Sequence, residues 1–274
     1  MSRVRALTIA SHPGPSLAIT ALATLLAAQA APHGIGPVLV APAMLAGQLS
    51  VGWSNDAFDA PRDAAAGRTD KPVAMGAISA RAVWIAAITA VLAALVMSLA
   101  ISVDTLIINA VIIGAAWAYN AGLKSTLASG LMYLIGFGPI PAYAASTLPG
   151  HPAPRWPVTA AAALVGLGAH FANVLPDLAA DRATGVNGLP QQVAARWGPA
   201  AVRAVAIVLL LSASVLLLLA SSRPRRWVAL AGLGAAVLLA AISARGTGRV
   251  PFLAAIGIAA VDVVLFAVGV DALT

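Results

Sequence analysis

The stretch SNDAFDAPRD, residues 54–63, puts three aspartates and an asparagine into ten residues of a chain that otherwise avoids charge. ANVLPDLAAD, residues 172–181, repeats its spacing. Asn55, Asp59, Asp63 and Gly67 in the first stretch correspond to Asn173, Asp177, Asp181 and Gly185 in the second, 118 positions on (173 minus 55). Both read N-x3-D-x3-D-x3-G.

The surrounding sequence sets the environment of these acids. Charged residues make up 9% of the 274 and hydrophobic ones 61%, with a mean hydropathy of +0.93. Soluble domains carry roughly 25% charged residues, so the composition is that of an integral membrane protein. A helix needs about 20 apolar residues to cross the hydrocarbon core. Nine such segments are expected, at about 14–31, 35–53, 79–100, 103–121, 127–147, 157–176, 200–220, 227–243 and 251–270. The apolar runs are continuous and do not alternate, which excludes a membrane β-barrel. Pro13 and Pro15 interrupt the first run early and argue against a cleaved signal peptide. With no cysteine in the chain, disulfides and thiolate chemistry are excluded.

Orientation is read from Lys and Arg. With nine spans and the N-terminus inside, the inner segments hold twelve of these residues and the outer loops four: Arg155, Arg223, Arg225 and Arg226. Both acidic stretches then face the cytoplasm. The net charge of +7 reads as anchoring at the inner surface and not as a nucleic-acid footprint. Nothing in the pattern calls for an obligate protein partner.

All nine acidic residues are aspartate, and six of them (Asp56, Asp59, Asp63, Asp70, Asp177, Asp181) fall in the two inner stretches. Both lysines, Lys71 and Lys124, lie in inner segments too. A spacing of four stacks Asn55, Asp59 and Asp63 on one helical face. Like charges there repel, and a cation between them reverses the sign. Asn and Asp oxygens suit a hard ion, and magnesium combines carboxylates with waters and substrate phosphates. Two such faces opposed across a bundle would hold magnesium bridging a diphosphate, with Arg62, Arg68, Lys71, Lys124 and Arg182 for the remaining oxygens. Alternatively such acids merely end a helix in water, with Pro61 and Gly67 as breakers; the second copy argues against that. Pro61 and Pro176 are expected to kink or unwind the idealised helices. The copies follow spans two and six, which implies two pseudo-repeated four-helix halves plus a ninth helix, in a single domain over residues 1–274.

NDAFDAPRDAAAGRTDKPVAMGAIS (55–79) and NVLPDLAADRATGVNGLP (173–190) resemble the two signature segments of the UbiA superfamily of intramembrane prenyltransferases. YNAGLKST (119–126) resembles that family's tyrosine–lysine segment. The resemblance implies an all-α bundle of nine transmembrane helices around a cavity open to lipid. It implies magnesium-dependent ionisation of a polyprenyl diphosphate and transfer of the prenyl group to an aromatic or lipophilic acceptor. Carried over, Asn55, Asp59, Asp63, Asn173, Asp177 and Asp181 hold the metal, with the four aspartates and Lys124 catalytic. Lys124, Arg68, Lys71 and Arg182 neutralise the diphosphate, and Tyr119 positions it.

Metal ions stabilise a departing diphosphate without a general acid, and a dry cavity protects the carbocation. Trp117, Phe137 and Tyr143 read as packing or interface aromatics. His12 and His170 read as backbone-bonded interface histidines outside the site. Some relatives cyclise the prenyl diphosphate with no acceptor, and the metal motifs do not separate the two chemistries. CDP-alcohol phosphotransferases need their acids in one segment. A cation-coupled transporter needs its acids at mid-depth, away from basic residues.

Overall fold

Unbroken apolar runs leave the backbone only one way to satisfy its own N–H and C=O groups inside lipid without a closed barrel, and that is the helix. The computed structural model describes residues 1–31 and 33–268, and no strand occurs among them. The helices are α1 (Arg3–Ala10), α2 (Pro13–Ala30), α3 (Gly36–Ala65), α4 (Ala80–Ile101) and α5 (Val103–Asn120). After a 3-10 turn at Leu123–Ser125 come α6 (Ser129–Phe137), α7 (Ile140–Ala145), α8 (Trp156–Val174), α9 (Leu178–Ala183) and α10 (Leu189–Trp197). The chain continues through α11 (Pro199–Ala220), α12 (Arg226–Arg245) and α13 (Val250–Val268). The last two residues of the expected 251–270 segment lie outside the described residues.

Seven single helices are long and apolar enough to span a membrane, and α1 with α2, bent by 61°, makes an eighth. The segment expected at 127–147 forms as α6 and α7, broken at Gly138 and Pro139. A count of nine is therefore approximate. The all-helical membrane architecture stands.

Sequence patterning explains which faces meet. On α4 the buried residues Val83, Ala87, Ala90, Ala94 and Ser98 recur every three or four positions. Ile85, Ile88, Leu92, Val96 and Leu99 form the opposite, exposed stripe. Lipid is as apolar as leucine, so small inward residues and close backbone packing hold the helices together. Polar contacts add clamps: Asn109 of α5 donates to Ser98 of α4 at 2.9 Å, and Ser214 of α11 donates to the buried Asp262 of α13 at 2.5 Å.

The two motif copies occupy matching helices. α3 packs extensively on α4, and α8 packs in the same way on α11. Their backbones differ, however. Pro61 lies inside α3, which runs on to Ala65, so the first copy stays on one continuous helix. Pro176 lacks an N–H, and here α8 ends at Val174. Leu175 N–H bonds to Ala172 and Asp177 N–H to Val174, each spanning three residues and not four. Asn173 thus sits on α8, Asp177 stands immediately before α9 with no side-chain capping bond, and Asp181 follows on α9.

Two glycines permit the close approaches that build the site. A Cβ on Gly52 would stand 2.2 Å from the Ser11 carbonyl oxygen, so its absence seats the α1–α2 corner on α3. Trp53 Nε1 donates to the Leu7 carbonyl at 2.9 Å and fastens the same corner. A Cβ on Gly188 would stand 2.4 Å from the Lys124 carbonyl oxygen, so the segment before α10 closes on the turn that carries Lys124.

Candidate active site

The polar ends of α3, α5 and α8 converge on a cavity of about 660 Å³. His12, Asn55, Tyr119 and Asn173 line its polar end. Away from the motifs its wall turns apolar, with Ile19 and Leu22 of α2, Ile112 of α5, Phe137 of α6, Val165 of α8 and Ile256 of α13. From Asn173 to Val165 the wall follows eight residues of α8, about 12 Å at 1.5 Å per residue. The remaining motif acids, Asp59 and Asp63 in one copy and Asp177 and Asp181 in the other, follow four and eight positions beyond these two asparagines.

Each first-copy residue has a distinct setting. Asn55 Nδ2 donates to Asn120 Oδ1 at 3.2 Å, and Asn120 in turn donates to Ser54 Oγ at 2.9 Å and to the Val51 carbonyl at 3.0 Å. This relay aims the Asn55 side chain. Asp59 is buried between the Lys124 ammonium and the Arg62 guanidinium, the latter 2.9 Å away. Asp63 is buried, and among the described residues no basic group lies within ion-pair distance of it.

In the second copy Asp177 is exposed. Asp181 accepts a hydrogen bond from Gln191 Nε2 at 2.8 Å. Burial raises the Asp181 pKa above the ordinary carboxylate value; the Gln191 contact opposes it, neighbouring Asp177 adds to it, and Arg62 and Lys124 oppose it. Burial lowers the Lys124 pKa, with Asp59 acting the other way. These mutual influences show that the two copies, which are remote in sequence, lie near one another.

The expected diphosphate cations are dispersed differently from one another. Lys124 lies on Asp59. Lys71 donates to Asp56 Oδ1 at 2.7 Å. Arg68 grips Asp70 through Nε at 2.8 Å and Nη2 at 2.7 Å, which pulls the Asp70 pKa down to about 2. Arg182 is exposed on α9. Tyr119 lines the cavity.

Several groups were not legible as site residues from sequence. Tyr133 lines the cavity, meets Tyr119 edge-on at 5.2 Å and stacks on His170 at 4.3 Å. Gln191 and Asn120 orient motif side chains, yet both sit outside the N-x3-D-x3-D frame; only the asparagine beside Tyr119 offered a signal. The histidines bond side chains and not backbone. His170 Nε2 pairs with Ser129 Oγ at 3.1 Å, and His12 Nε2 pairs with Asp56 Oδ1 at 2.8 Å. Phe137 lines the cavity, whereas Trp117 donates to Ser50 at 3.3 Å and Tyr143 is buried in the core.

Among the described residues no three acidic or histidine side chains form a closed metal cluster. The donor chemistry nevertheless suits magnesium, which completes its octahedron with waters and phosphate oxygens. Asp63, Asp177 and Asp181 are carboxylates with no basic partner within ion-pair distance among the described residues.

Solved structures share this architecture. A digeranylgeranylglyceryl phosphate synthase superposes with a TM-score of 0.73 at 16% identity, over 99% of each chain. A UbiA homolog from Archaeoglobus fulgidus, bound to GPP and Mg2+, gives 0.71 at 13%, over 95% of this chain and 98% of its own. The apo UbiA homolog from Aeropyrum pernix K1 gives 0.73 at 17%, over 96% and 97%. At these identities the likeness establishes the fold. No curated protein matches the sequence. The sequence matches the UbiA prenyltransferase family over residues 16–265, nearly the whole chain, and the protein belongs to that family.

Proposed function

We propose that the protein is a magnesium-dependent intramembrane prenyltransferase that ionises a prenyl diphosphate and passes the prenyl group to an acceptor. The observation that carries this reading is an apolar cavity whose polar end is lined by Asn55 and Asn173, the first residue of each motif copy, while Asp63, Asp177 and Asp181 of the same copies have no basic group within ion-pair distance among the described residues; these acids are taken to form its mouth. Solved homologs with GPP or DMAPP and Mg2+ support it. Asn55, Asp59, Asp63, Asn173, Asp177 and Asp181 would hold the metal, which when bound neutralises charge developing on the leaving diphosphate.

The chain's own residues do the rest. Lys124 and Arg62, which flank Asp59, would turn toward phosphate oxygens when that carboxylate holds the metal. Lys71, Arg68 and Arg182 add positive charge around the same mouth. The apolar wall holds the prenyl chain and excludes water from the allylic cation. Tyr119, Tyr133 and Phe137 offer π-faces to that cation. On the nine-span reading, in which the inner segments hold twelve basic residues and the outer loops four, the motif copies would face the cytoplasm.

The test is pyrophosphate release from purified protein in lipid, with magnesium and a series of prenyl diphosphates, with and without acceptors. Release that depends on an acceptor and disappears in Asp59→Ala and Asp177→Ala is the expected result. Release without acceptor, yielding a cyclic hydrocarbon or alcohol, would replace the transferase with a cyclase.

A further inference from the structure

His12 sits in an unusual backbone state. Its φ of 50° and ψ of 63° are left-handed, a region that non-glycine residues rarely adopt. Pro13 follows, and proline drives its predecessor toward extended backbone, so the conformation is doubly disfavoured. The Gly52 contact with Ser11 holds the corner in place regardless. One turn along α3 from Gly52 is Asp56, which is 2% exposed.

The corner therefore delivers the imidazole to a buried carboxylate. His12 Nε2 is 2.8 Å from Asp56 Oδ1, and Lys71 Nζ is 2.7 Å from that same oxygen. A nitrogen lone pair would repel a carboxylate oxygen at that distance, so Nε2 carries the proton. Lys71 Nζ, 3.2 Å from Nε2, is then a second donor to the shared oxygen. Asp56 Oδ2 is buried with no partner among the described residues. A ring whose single proton sits on Nε2 carries its lone pair at Nδ1. His12 lines the cavity along with Asn55, Tyr119 and Asn173.

We infer that His12 is the base that removes the acceptor's proton after prenyl transfer, with Asp56 as its positioning residue; this rests on the transferase reading above. The carboxylate fixes the tautomer and supports the imidazolium that forms, the arrangement by which buried carboxylates prepare histidine bases elsewhere. The C–O bond to the diphosphate breaks, and its electron pair leaves with pyrophosphate. An electron pair of the acceptor forms the new bond to the allylic carbon. The acceptor then carries one excess proton, which moves to His12 Nδ1 and from there to water at the mouth. Lys71 neutralises Asp56 at rest, so the pair can sit beside the metal motif without adding an unpaired negative charge.

The test measures prenylated product per pyrophosphate released, with geranyl diphosphate, magnesium and three acceptor probes: 4-hydroxybenzoate, 1,4-dihydroxy-2-naphthoate and glycerol 1-phosphate. His12→Gln keeps an N–H for Asp56 but has no base, and the ratio is expected to fall at least 10-fold, prenyl alcohol making up the difference. Asp56→Ala is expected to lower the same ratio. General loosening of the fold would reduce product and pyrophosphate together and leave it unchanged. An unchanged ratio in His12→Gln overturns this inference alone. Absence of pyrophosphate from the wild type overturns the transferase reading and this inference with it. A second arm needs no acceptor: 15N NMR of imidazole-labelled protein in micelles at pH 7.5, the His12 signals identified by their loss in His12→Gln. Protonated Nε2 and bare Nδ1 are expected, with that preference lost in Asp56→Ala; a protonated Nδ1 in the wild type overturns the inference.

Discussion

The Lys124 ammonium rests on the Asp59 carboxylate, joining the turn after α5 to the middle acid of the first motif across 65 residues of sequence. The pair is buried on both sides. If Asp59 is a metal ligand, as proposed above, a lysine thus occupies the place beside it that a divalent cation would need, and loading the site would move that ammonium toward the phosphates.

Lys124→Ala is accordingly expected to act with opposite signs on two measurements. Relieved of one of its two cations, with Arg62 remaining, Asp59 is expected to bind magnesium more tightly, as read by calorimetry without substrate. Pyrophosphate release falls about 100-fold or more, the scale of losing one electrostatic donor to a developing charge. Weaker magnesium binding in the variant would show that the pair assembles the site and does not compete with the metal.

Asp177→Asn and Asp63→Asn remove carboxylate charge without removing bulk. Asp177 is exposed, so its variant should keep the wild-type melting temperature within a few degrees, since surface changes lie within about 0.5 kcal/mol. Its pyrophosphate release should fall at least 100-fold and recover partly at high magnesium. Wild-type turnover in Asp177→Asn would remove the second motif from the metal site.

Gln191→Ala tests the environment of Asp181. Burial raises that carboxyl's pKa and the Gln191 contact holds it lower. Losing the contact raises it further, so Asp181 stays protonated, and unable to bind metal, up to a higher pH. Activity is lost as pH falls through this titration. The acid limb of the pH–rate profile should therefore move to higher pH in the variant, and an unmoved limb would count against Asp181 as a ligand.

Gly52→Ala pushes a methyl group into the Ser11 carbonyl, which stands 2.2 Å from its position. Such overpacking costs about 1–3 kcal/mol, visible as a lower melting temperature in micelles. The α1–α2 corner must retreat, taking His12 from Asp56, so product per pyrophosphate should fall as well. A fully stable and coupled Gly52→Ala protein would show that the corner adjusts freely.

Much of this molecule could be read without coordinates because the deciding features are local. Continuous apolar runs specify membrane helices through backbone chemistry alone. The four-residue spacing of Asn55, Asp59 and Asp63 translates directly into one face of α3. The second copy has the same spacing but a different backbone, because Pro176 falls where α8 ends while α3 runs through Pro61. A proline's effect depends on what packs around the freed carbonyl groups, and that is not written in the spacing.

By itself, the sequence determined the membrane class, the helical architecture, the duplicated motif and the residues most suited to a metal-bound diphosphate. Only the tertiary structure decided which of those acids stand free and which are paired at rest. It also put His12 on Asp56, 44 residues away, and closed Gln191 on Asp181 from a separate helix. The physical reason is one of range. Helix formation and facial periodicity follow from neighbours within a turn, whereas ion pairs and hydrogen bonds between helices depend on approach distances set by residues such as Gly52 and Gly188, whose role appears only when two backbones meet.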